Sequence, residues 1–391
     1  TIPAGPGSWI ARLKNVLVVF QFAVSIILII GTLTIDLQVH FMQNHDLGFT
    51  PESLVVLDGP RILQANSYEA WVQNMEAFKN DIRTLSMVSN VTASTSVPGT
   101  EITNTRVFGI PVEGRNTEKV IDMYYVDNHF FDTYSLSFVA GNNFNTMWRE
   151  DSANIIINES AIVYFGFEDA EQSIGDILRS GSFEVTVIGV IKDFNQRSVK
   201  EEPGPIGFFH LPRNLYYTVK AEMTDASRLI SELEKIWSSH YPGNPFHYFF
   251  LDDFYNKQYQ AEQRFSGLFL ASSLIAIIIA CLGLLGLSAY SITRRRKEIG
   301  IRKANGAGIG RVMIVLNKSF VIWVAVAFII ACPAAWFVMN RWLQNFAYKT
   351  QLSWWIFAIA GILAVVIAIL TVSWQSWRAA TRNPVESLRY E

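Results

Sequence analysis

The sequence predicts an α-helical membrane protein with four transmembrane helices and a large two-lobed α+β domain on the extracytoplasmic side, between helices 1 and 2. Half of the 391 residues are hydrophobic and only 17% are charged, which is too apolar for an ordinary soluble protein. Four stretches reach the roughly 20 apolar residues that a bilayer-spanning helix needs. Between the first and second, short alternating segments indicate a folded domain.

The apolar runs divide the chain into nine regions. The Gly/Pro-rich start at residue 1 has no initiator Met, which predicts a trimmed chain or the second half of a longer one. The regions are a cytoplasmic linker and interfacial segment (1–15), TM1 (16–37), the extracytoplasmic domain with its C-terminal stalk helix (38–264), TM2 (265–291), a cytoplasmic coupling loop (292–311), TM3 (312–339), a short extracytoplasmic loop (340–352), TM4 (353–376) and a cytoplasmic tail (377–391).

The distribution of charge orients these regions. From Asp36 to Arg264 there are 31 acidic and 17 basic residues, a net charge of −14; the remaining three acidic and 15 basic residues carry +12. Basic residues beside membrane spans are retained in the cytoplasm. The acidic domain is therefore predicted to lie outside, and the segments after TM2 and TM4 inside.

Within the outer domain, periodicity predicts individual elements. Strands rich in β-branched residues are predicted at Leu54–Leu57, Asn154–Asn158 and Val185–Ile191. Apolar residues three and four apart predict helices at Tyr68–Leu85 and Ala226–Tyr241. The alternation of strands with helices indicates an α+β domain.

The end of the outer domain is predicted to be a stalk helix. Leu251–Arg264 contains no Gly or Pro and runs directly into TM2, so we expect one continuous helix. Such a rod either couples membrane movements to the domain or serves only as a connector. The stalk residues that we single out are Phe254, Tyr259 and Glu262.

The basic segment Arg294–Ala307, between TM2 and TM3, has two interpretations. Basic residues beside a membrane hold the topology and contact anionic lipid. Alternatively, Glu298, Ile299, Ile301 and Arg302 form a short amphipathic helix that docks into a partner protein.

This segment and the order of spans resemble the ABC transporter permeases of the FtsX/LolCE/MacB type, which serve cell division, lipoprotein release and macrolide export. The resemblance extends over nearly the whole chain and includes a macrolide-exporter-like outer domain. Asn305, where many relatives have an apolar residue, is a departure that leaves the matching ATPase open. The matching segments are Lys297–Lys303, Val126–Phe131, Gly141–Phe144, Ile156–Glu159, Ile188–Phe194, Asn383–Arg389 and, as in the second half of Bacteroidota tandem permeases, Val18–Ser25.

The resemblance implies a multi-pass protein of the bacterial inner membrane with its large domain in the periplasm. It implies a mechanotransmission permease that couples ATP hydrolysis by a partner to movement of the outer domain, for export or release of lipoprotein, peptide or hydrophobic drug. The alternative is a non-transporting transducer that regulates a cell-wall hydrolase, or an envelope sensor. The coupling residues would be Lys297, Glu298, Ile299, Gly300, Ile301, Arg302, Lys303 and Gly306.

The same resemblance implies the partners. They are an ABC ATPase subunit (LolD/MacB/FtsE-like), a second permease half or identical subunit, membrane lipid, and a periplasmic adaptor or outer-membrane factor; no nucleic acid is expected. The chain contains no phosphate-binding loop. We therefore expect it not to be an enzyme, with ATP and Mg²⁺ bound on the partner and no cofactor of its own.

Other chemistry has little support in the sequence. We expect no catalytic residues and no metal site, because no H-E-x-x-H motif or paired-Cys spacing occurs. Asn158–Glu159 and Lys192–Phe194 are interpreted as strand ends and turns. Gly283 and Gly286 in TM2 are small enough for close helix packing, either as a dimer seam or within the chain.

Overall fold

A computed structural model of the protein describes residues 6–62, 67–110, 118–145, 153–211, 213–294, 298, 301–302 and 308–381. The chain forms two compact units. Asn44–Tyr259 is the outer domain, and the segments up to Gln43 and from Gln260 onward form the helical unit.

In chain order, the elements are α1 (Pro6–Gln43), β1 (Leu54–Asp58), α2 (Tyr68–Arg83), β2 (Val88–Ser94), β3 (Thr105–Phe108), β4 (Lys119–Val126), α3 (Phe130–Tyr134), β5 (Phe138–Gly141), β6 (Asn154–Asn158), α4 (Glu159–Phe165), β7 (Ile177–Ser180), β8 (Phe183–Ile191), β9 (Ile206–His210), β10 (Tyr216–Ala221), α5 (Ala226–His240), β11 (Tyr248–Phe250), α6 (Leu251–Lys257), α7 (Gln260–Arg294), α8 (Ile309–Leu343) and α9 (Trp354–Thr381). Four of these helices, α1, α7, α8 and α9, are long and apolar, and the α+β domain lies between the first and the second of them. This arrangement confirms the predicted fold class.

In the helical unit, α1 packs against α7, α8 and α9. Its buried face repeats every three or four residues, as in Phe22, Ile26 and Ile30. The facing helices contribute small residues that let backbones approach closely. These are Ala327, Ala331 and Ala335 of α8, and Ala360, Ala364 and Ala368 of α9.

The helices are longer than the apolar runs that predicted them. α1 continues to Gln43, beyond the predicted end of TM1 at residue 37. Gln38 is buried there, and its side chain donates to the Tyr348 carbonyl (2.9 Å) and accepts from the Thr350 amide (2.8 Å). Because other residues of the helical unit form hydrogen bonds with this polar side chain, α1 can continue past the end of the apolar run.

The outer domain is built on one mixed, eleven-stranded sheet in the described part of the chain. The strand order is β11-β1-β10-β2-β4-β9-β6-β8-β5, with β3 beside β4 and β7 beside β8. The pairs β4–β9 and β6–β8 are parallel and the other described pairs are antiparallel.

Two hydrophobic cores divide this sheet. One lies between α2, α5 and strands β1, β2 and β10, around Phe78, Tyr217 and Trp237. The other lies around Ile155 and Val187, where α4 packs on β6 and β9. The two halves of the sheet meet at β2 and β4, which share a single register pair, Ser94 with Val126. The predicted two lobes are therefore two cores on one continuous sheet.

The predicted outer-domain helices agree closely with the structure. α2 begins at Tyr68, where Ser67 accepts a hydrogen bond from the Ala70 amide and caps the helix. It ends at Arg83, two residues before the predicted end. α5 begins at Ala226 with Asp225 as its cap and ends at His240.

Candidate functional site

The candidate coupling segment lies between α7 and α8. Glu298, Ile301 and Arg302 are helical. Arg302 Nη2 lies 2.7 Å from Glu298 Oε1, an ion pair four residues apart on one helix face, with both side chains 46% exposed. Ile301 is 50% exposed beside this pair. The other predicted coupling residues, Lys297, Ile299, Gly300, Lys303 and Gly306, lie outside the described residues.

The predicted stalk is not one helix. α6 ends at Lys257, residues 258 and 259 form a turn, and α7 begins at Gln260. The amides of Gln258 and Tyr259 donate to carbonyls only three residues earlier, both at 3.1 Å. Such bonds tighten the last turn of a helix. The expectation of a continuous helix over Leu251–Arg264 was therefore wrong.

Buried side chains hold α6 to the rest of the outer domain, and the sequence analysis did not single out all of them. Leu251, Tyr255 and Tyr259 are buried and repeat every four residues, a spacing that identifies one helix face. Burial raises the pKa of Tyr255, so its hydroxyl stays protonated and donates to the Asn195 carbonyl at 2.9 Å. Gln258 Nε2 donates to the Gly99 carbonyl at 3.0 Å.

The predicted stalk residues have different positions. Phe254 is half-buried and packs its ring against Phe249, with centroids 4.7 Å apart. Tyr259 is buried in the turn after α6. Glu262 lies in the first turn of α7. Only the first two therefore belong to the outer domain.

Asp127, in the motif Val126–Phe131, is the centre of a buried polar network. Its carboxylate accepts from Thr92 Oγ1 (2.5 Å), the Ala93 amide (3.0 Å) and Lys79 Nζ (2.6 Å). The amide of His129 donates to it at 3.1 Å. The motif therefore links β2, α2 and the start of α3 at the seam between the two lobes.

A second network joins the motifs at the ends of β6 and β8. Asn158 Nδ2 donates to Asp193 Oδ1 at 2.6 Å, and Ser160 Oγ donates to Asp193 Oδ2 at 2.6 Å. Asn158 also caps α4 and donates to the Gly204 carbonyl. Burial raises the pKa of Asp193, and hydrogen bonds from Ser160 oppose that effect. These contacts place Asn158 and Asp193 at strand ends and turns, as the sequence predicted.

The motif glycines and phenylalanines are structural. Gly141 has φ +72°, and a Cβ atom there would lie 2.2 Å from the Ile188 carbonyl oxygen. Phe130, Phe144 and Phe194 are buried. Both findings agree with their interpretation as close-approach and core residues.

The two TM2 glycines have different surroundings. A Cβ atom at Gly283 would lie 2.6 Å from Oε1 of Gln21 on α1, so this glycine allows close packing within the chain. At Gly286 a Cβ atom would meet no described atom within 4 Å. A dimer seam at Gly283 and Gly286 stays a prediction.

Comparison with known proteins agrees with this architecture. A family model described as the MacB-like periplasmic core domain matches residues 22–232, more than half of the chain. A second, the FtsX-like permease C-terminal model, matches residues 270–384. The chain belongs to the MacB-like and FtsX-like permease family. It is a multi-pass inner-membrane protein of the ABC permease type, with its outer domain in the periplasm.

Curated relatives are distant. The chain is 21% identical over 296 residues to the macrolide export ATP-binding/permease protein MacB of Salmonella typhimurium strain LT2. It is 23% identical over 236 residues to the protein of that name from Bdellovibrio bacteriovorus. These alignments cover 71% and 56% of this chain but only 44% and 36% of the relatives. The permease thus spans less than half the length of either relative.

Several solved structures are similar to part of the chain. The periplasmic region of MacB from Actinobacillus actinomycetemcomitans is 14% identical, with a TM-score of 0.39, and covers 55% of this chain and 94% of its own. The extracellular domain of YknZ from Gram-positive bacteria is 16% identical (TM-score 0.35; 50% and 97% covered). A domain of a putative permease from Porphyromonas gingivalis is 14% identical (TM-score 0.34; 52% and 91% covered).

Proposed function

We propose that this permease is the membrane subunit of a transporter that works by mechanotransmission. A partner ABC ATPase would dock on the segment around Glu298, Ile301 and Arg302, and its ATP-driven closure would move the helices and so the periplasmic domain. The observation that carries the proposal is the half-exposed Ile301 beside the Glu298–Arg302 ion pair. An apolar side chain within a charged helical face is typical of a docking surface.

The energy source would be outside this chain. The sequence lacks the glycine-rich loop with Lys and Ser or Thr that cradles nucleotide phosphates. ATP and Mg²⁺ would therefore bind the partner ATPase. A second permease half or an identical subunit would provide the other half of the membrane assembly.

Helix α7 is suited to carry the movement. It runs unbroken over 35 residues from Gln260 to Arg294, at the start of the coupling segment. At 1.5 Å per residue, this corresponds to roughly 50 Å, more than the thickness of the hydrocarbon core. Spans 265–291 and 353–376 contain no Asp, Glu, Lys or Arg, which favours movement of helices over a polar ion path. Lipoprotein, peptide or hydrophobic drug would be handled in the periplasm.

Charge exchange at the ion pair tests the docking assignment. We expect Glu298→Lys and Arg302→Glu each to reduce co-purification of the partner ATPase from native membranes and its stimulated ATP hydrolysis. The double exchange restores the intrahelical pair but reverses the charges presented to the partner, so it should remain defective. Recovery in the double variant would show that the pair only stabilises the helix, and would overturn the docking assignment.

The apolar residue is tested separately. Ile301→Asp should abolish ATPase co-purification, because a charge replaces the apolar contact. Ile301→Leu keeps an aliphatic side chain of the same size and is the matched control. If the Asp variant retained its ATPase as well as the Leu variant does, Ile301 would not be part of the docking surface.

A further inference from the structure

Helices α8 and α9 are joined to each other by polar and close contacts. Asn317 Nδ2 donates to Ser373 Oγ at 2.9 Å, and Ser376 Oγ donates to Asn317 Oδ1 at 3.2 Å. Further along the pair, a Cβ atom at Gly361 would lie 2.6 Å from the ring of Phe328, so the two backbones approach closely there. Because these contacts are about three turns apart along α8, we call α8 and α9 together the hairpin.

Helices α1 and α7 form a second pair. Thr32 Oγ1 lies 3.1 Å from Ser273 Oγ, and Gly283 of α7 lies against the side chain of Gln21 of α1. The two contacts are about three turns apart on each helix, in the register of two antiparallel helices. α1 leads into the periplasmic domain and α7 follows that domain in the chain. A rotation of the α1–α7 pair would therefore act on both ends of the periplasmic domain.

The α1–α7 pair is attached to the hairpin at the periplasmic end. Gln38 of α1 is fully buried and bonds the Tyr348 carbonyl and the Thr350 amide, which lie in the loop between α8 and α9. Phe265 of α7 stacks on Trp342 of α8, with ring centroids 6.4 Å apart. Both members of the pair are thus held at this end.

Towards the cytoplasmic end, the contacts between the pair and the hairpin are weaker. A small apolar cavity lies between α1, α7 and α9 and is lined by Ile277 and Ile367 among others; side chains beside a void lose packing contacts. Thr371 Oγ1 lies 3.4 Å from Cys281 Sγ, but this hydroxyl also donates to the Ile367 carbonyl at 2.7 Å, and sulfur is a weak acceptor. Ser288 of α7 is buried, and its Oγ has no hydrogen-bond partner among the described residues.

We propose that the α1–α7 pair rotates as one lever against the hairpin, about a pivot at Gln38. Firm contacts within each pair and at the periplasmic end, combined with loose contacts between the pairs in the cytoplasmic half, support this motion. Gln21 lies about 25 Å along α1 from Gln38, so a small rotation moves the cytoplasmic end by several ångströms. α7 ends at Arg294, where the coupling segment starts. The lever rests on the proposed function for its driving force, closure of the ATPase, and specifies which helices move.

Distances between nitroxide labels test the lever without the ATPase. The full chain in lipid nanodiscs carries Cys281→Ser and Cys332→Ser, and labelled chain is diluted with unlabelled chain to suppress distances between subunits. Labels at Leu282→Cys of α7 and Leu370→Cys of α9, both exposed positions, report on the cytoplasmic half of the junction. Electron paramagnetic resonance should give a distance distribution several ångströms wider for this label pair than for its controls, because the lever samples several orientations.

Two label pairs are the matched controls, and both should give narrow distributions. Leu268→Cys with Trp354→Cys joins the same two helices at the periplasmic end, and Ile314→Cys with Trp374→Cys lies within the hairpin; all four positions are exposed. Equal widths for the junction pair and both controls would overturn the lever. Gln38→Leu, which keeps the side-chain size without the hydrogen bonds, should widen the distribution of the periplasmic pair. An unchanged width in that variant would overturn the pivot.

Disulfide formation tests the lever in the complex with the ATPase. Oxidation with copper phenanthroline joins the cysteine of Thr371→Cys to Cys281, which should abolish stimulated ATP hydrolysis until the link is reduced. In a chain without its native cysteines, Thr32→Cys and Ser273→Cys form a link within the α1–α7 pair, which should leave hydrolysis at the wild-type level. Undiminished hydrolysis with the first link formed, as verified by mass spectrometry, would overturn the lever. Failure of an ATPase to co-purify with the wild-type protein would instead overturn the proposed function, and the label distances would still decide the lever.

Discussion

Lys79 Nζ lies 2.6 Å from Asp127 Oδ2 in the periplasmic domain, with the two side chains only 1% and 6% exposed. Lys79 belongs to α2, and Asp127 follows β4, which meets β2 through a single register pair. Lys79 Nζ also lies 2.7 Å from Glu76 Oε1. This buried ion pair therefore connects helix α2 of the first lobe to the end of strand β4 in the second lobe.

Removal of the acid should destabilise the domain. Asp127→Ala leaves the Lys79 ammonium buried without its main partner, which we expect to cost about 3–5 kcal/mol. The measurement is the thermal midpoint of the full chain in detergent, followed by tryptophan fluorescence. Glu232→Ala is the control, because its ion pair with Lys235 is exposed and exposed pairs contribute little to stability. Equal melting of the two variants would contradict the prediction.

The same pair predicts sensitivity to acid. Burial raises the pKa of Asp127, but the Lys79 ammonium and hydrogen bonds from Thr92 and Ala93 outweigh it, so the pKa is lowered. For an acid with a lowered folded pKa, the stabilisation is complete above the unfolded value of about 4 and is lost as pH falls through the folded pKa.

Thermal midpoints measured from pH 6 to pH 2.5 test this dependence. The wild-type protein should lose stability below about pH 4 more steeply than Asp127→Asn, which has no carboxyl to titrate at this position. Parallel curves for the two proteins would show that other groups control acid unfolding.

Gly141 provides a test of backbone geometry. In Gly141→Ala, the left-handed φ of +72° and the 2.2 Å approach to the Ile188 carbonyl oxygen both oppose a Cβ atom. Gly175→Ala is matched, since its φ is +91° but nothing lies within 4 Å. The free energy of unfolding of the control should fall by about 1–3 kcal/mol because of the backbone conformation alone. That of Gly141→Ala should fall by clearly more. Equal thermal midpoints would rule out the close approach.

The attachment of α6 can be tested by hydrogen exchange. Tyr255→Phe removes the 2.9 Å bond to the Asn195 carbonyl and should cost about 1 kcal/mol. We expect faster amide exchange in residues 251–259, measured by mass spectrometry, with unchanged ATPase co-purification. Tyr248→Phe, at an exposed tyrosine, should leave the exchange unaltered. If both variants exchange like wild type, the hydroxyl does not hold α6 in place.

Elements with a strong local pattern could be predicted from the sequence. The apolar runs identify all four long helices, and the period of Met75, Phe78 and Ile82 identifies α2. The turn at residues 258 and 259 could not be predicted, because no Gly or Pro marks it. The helix is interrupted where Tyr259 is buried and Gln258 bonds Gly99, contacts that the local sequence does not specify.

The candidate sites also differ in whether the local sequence predicts them. The coupling segment is recognisable because its residues are adjacent in the chain. The network of Asn158 and Asp193 is not, because these two residues come together only when β6 pairs with β8.

The four spans and the separation of charge were determined by the sequence itself, since hydrophobic length and the placement of Lys and Arg act locally on insertion into a bilayer. The order of strands, the Lys79–Asp127 pair and the turn before α7 were decided by tertiary structure. These depend on contacts between residues far apart in the chain, such as 79 and 127, whose burial and hydrogen bonding exist only once both lobes have folded.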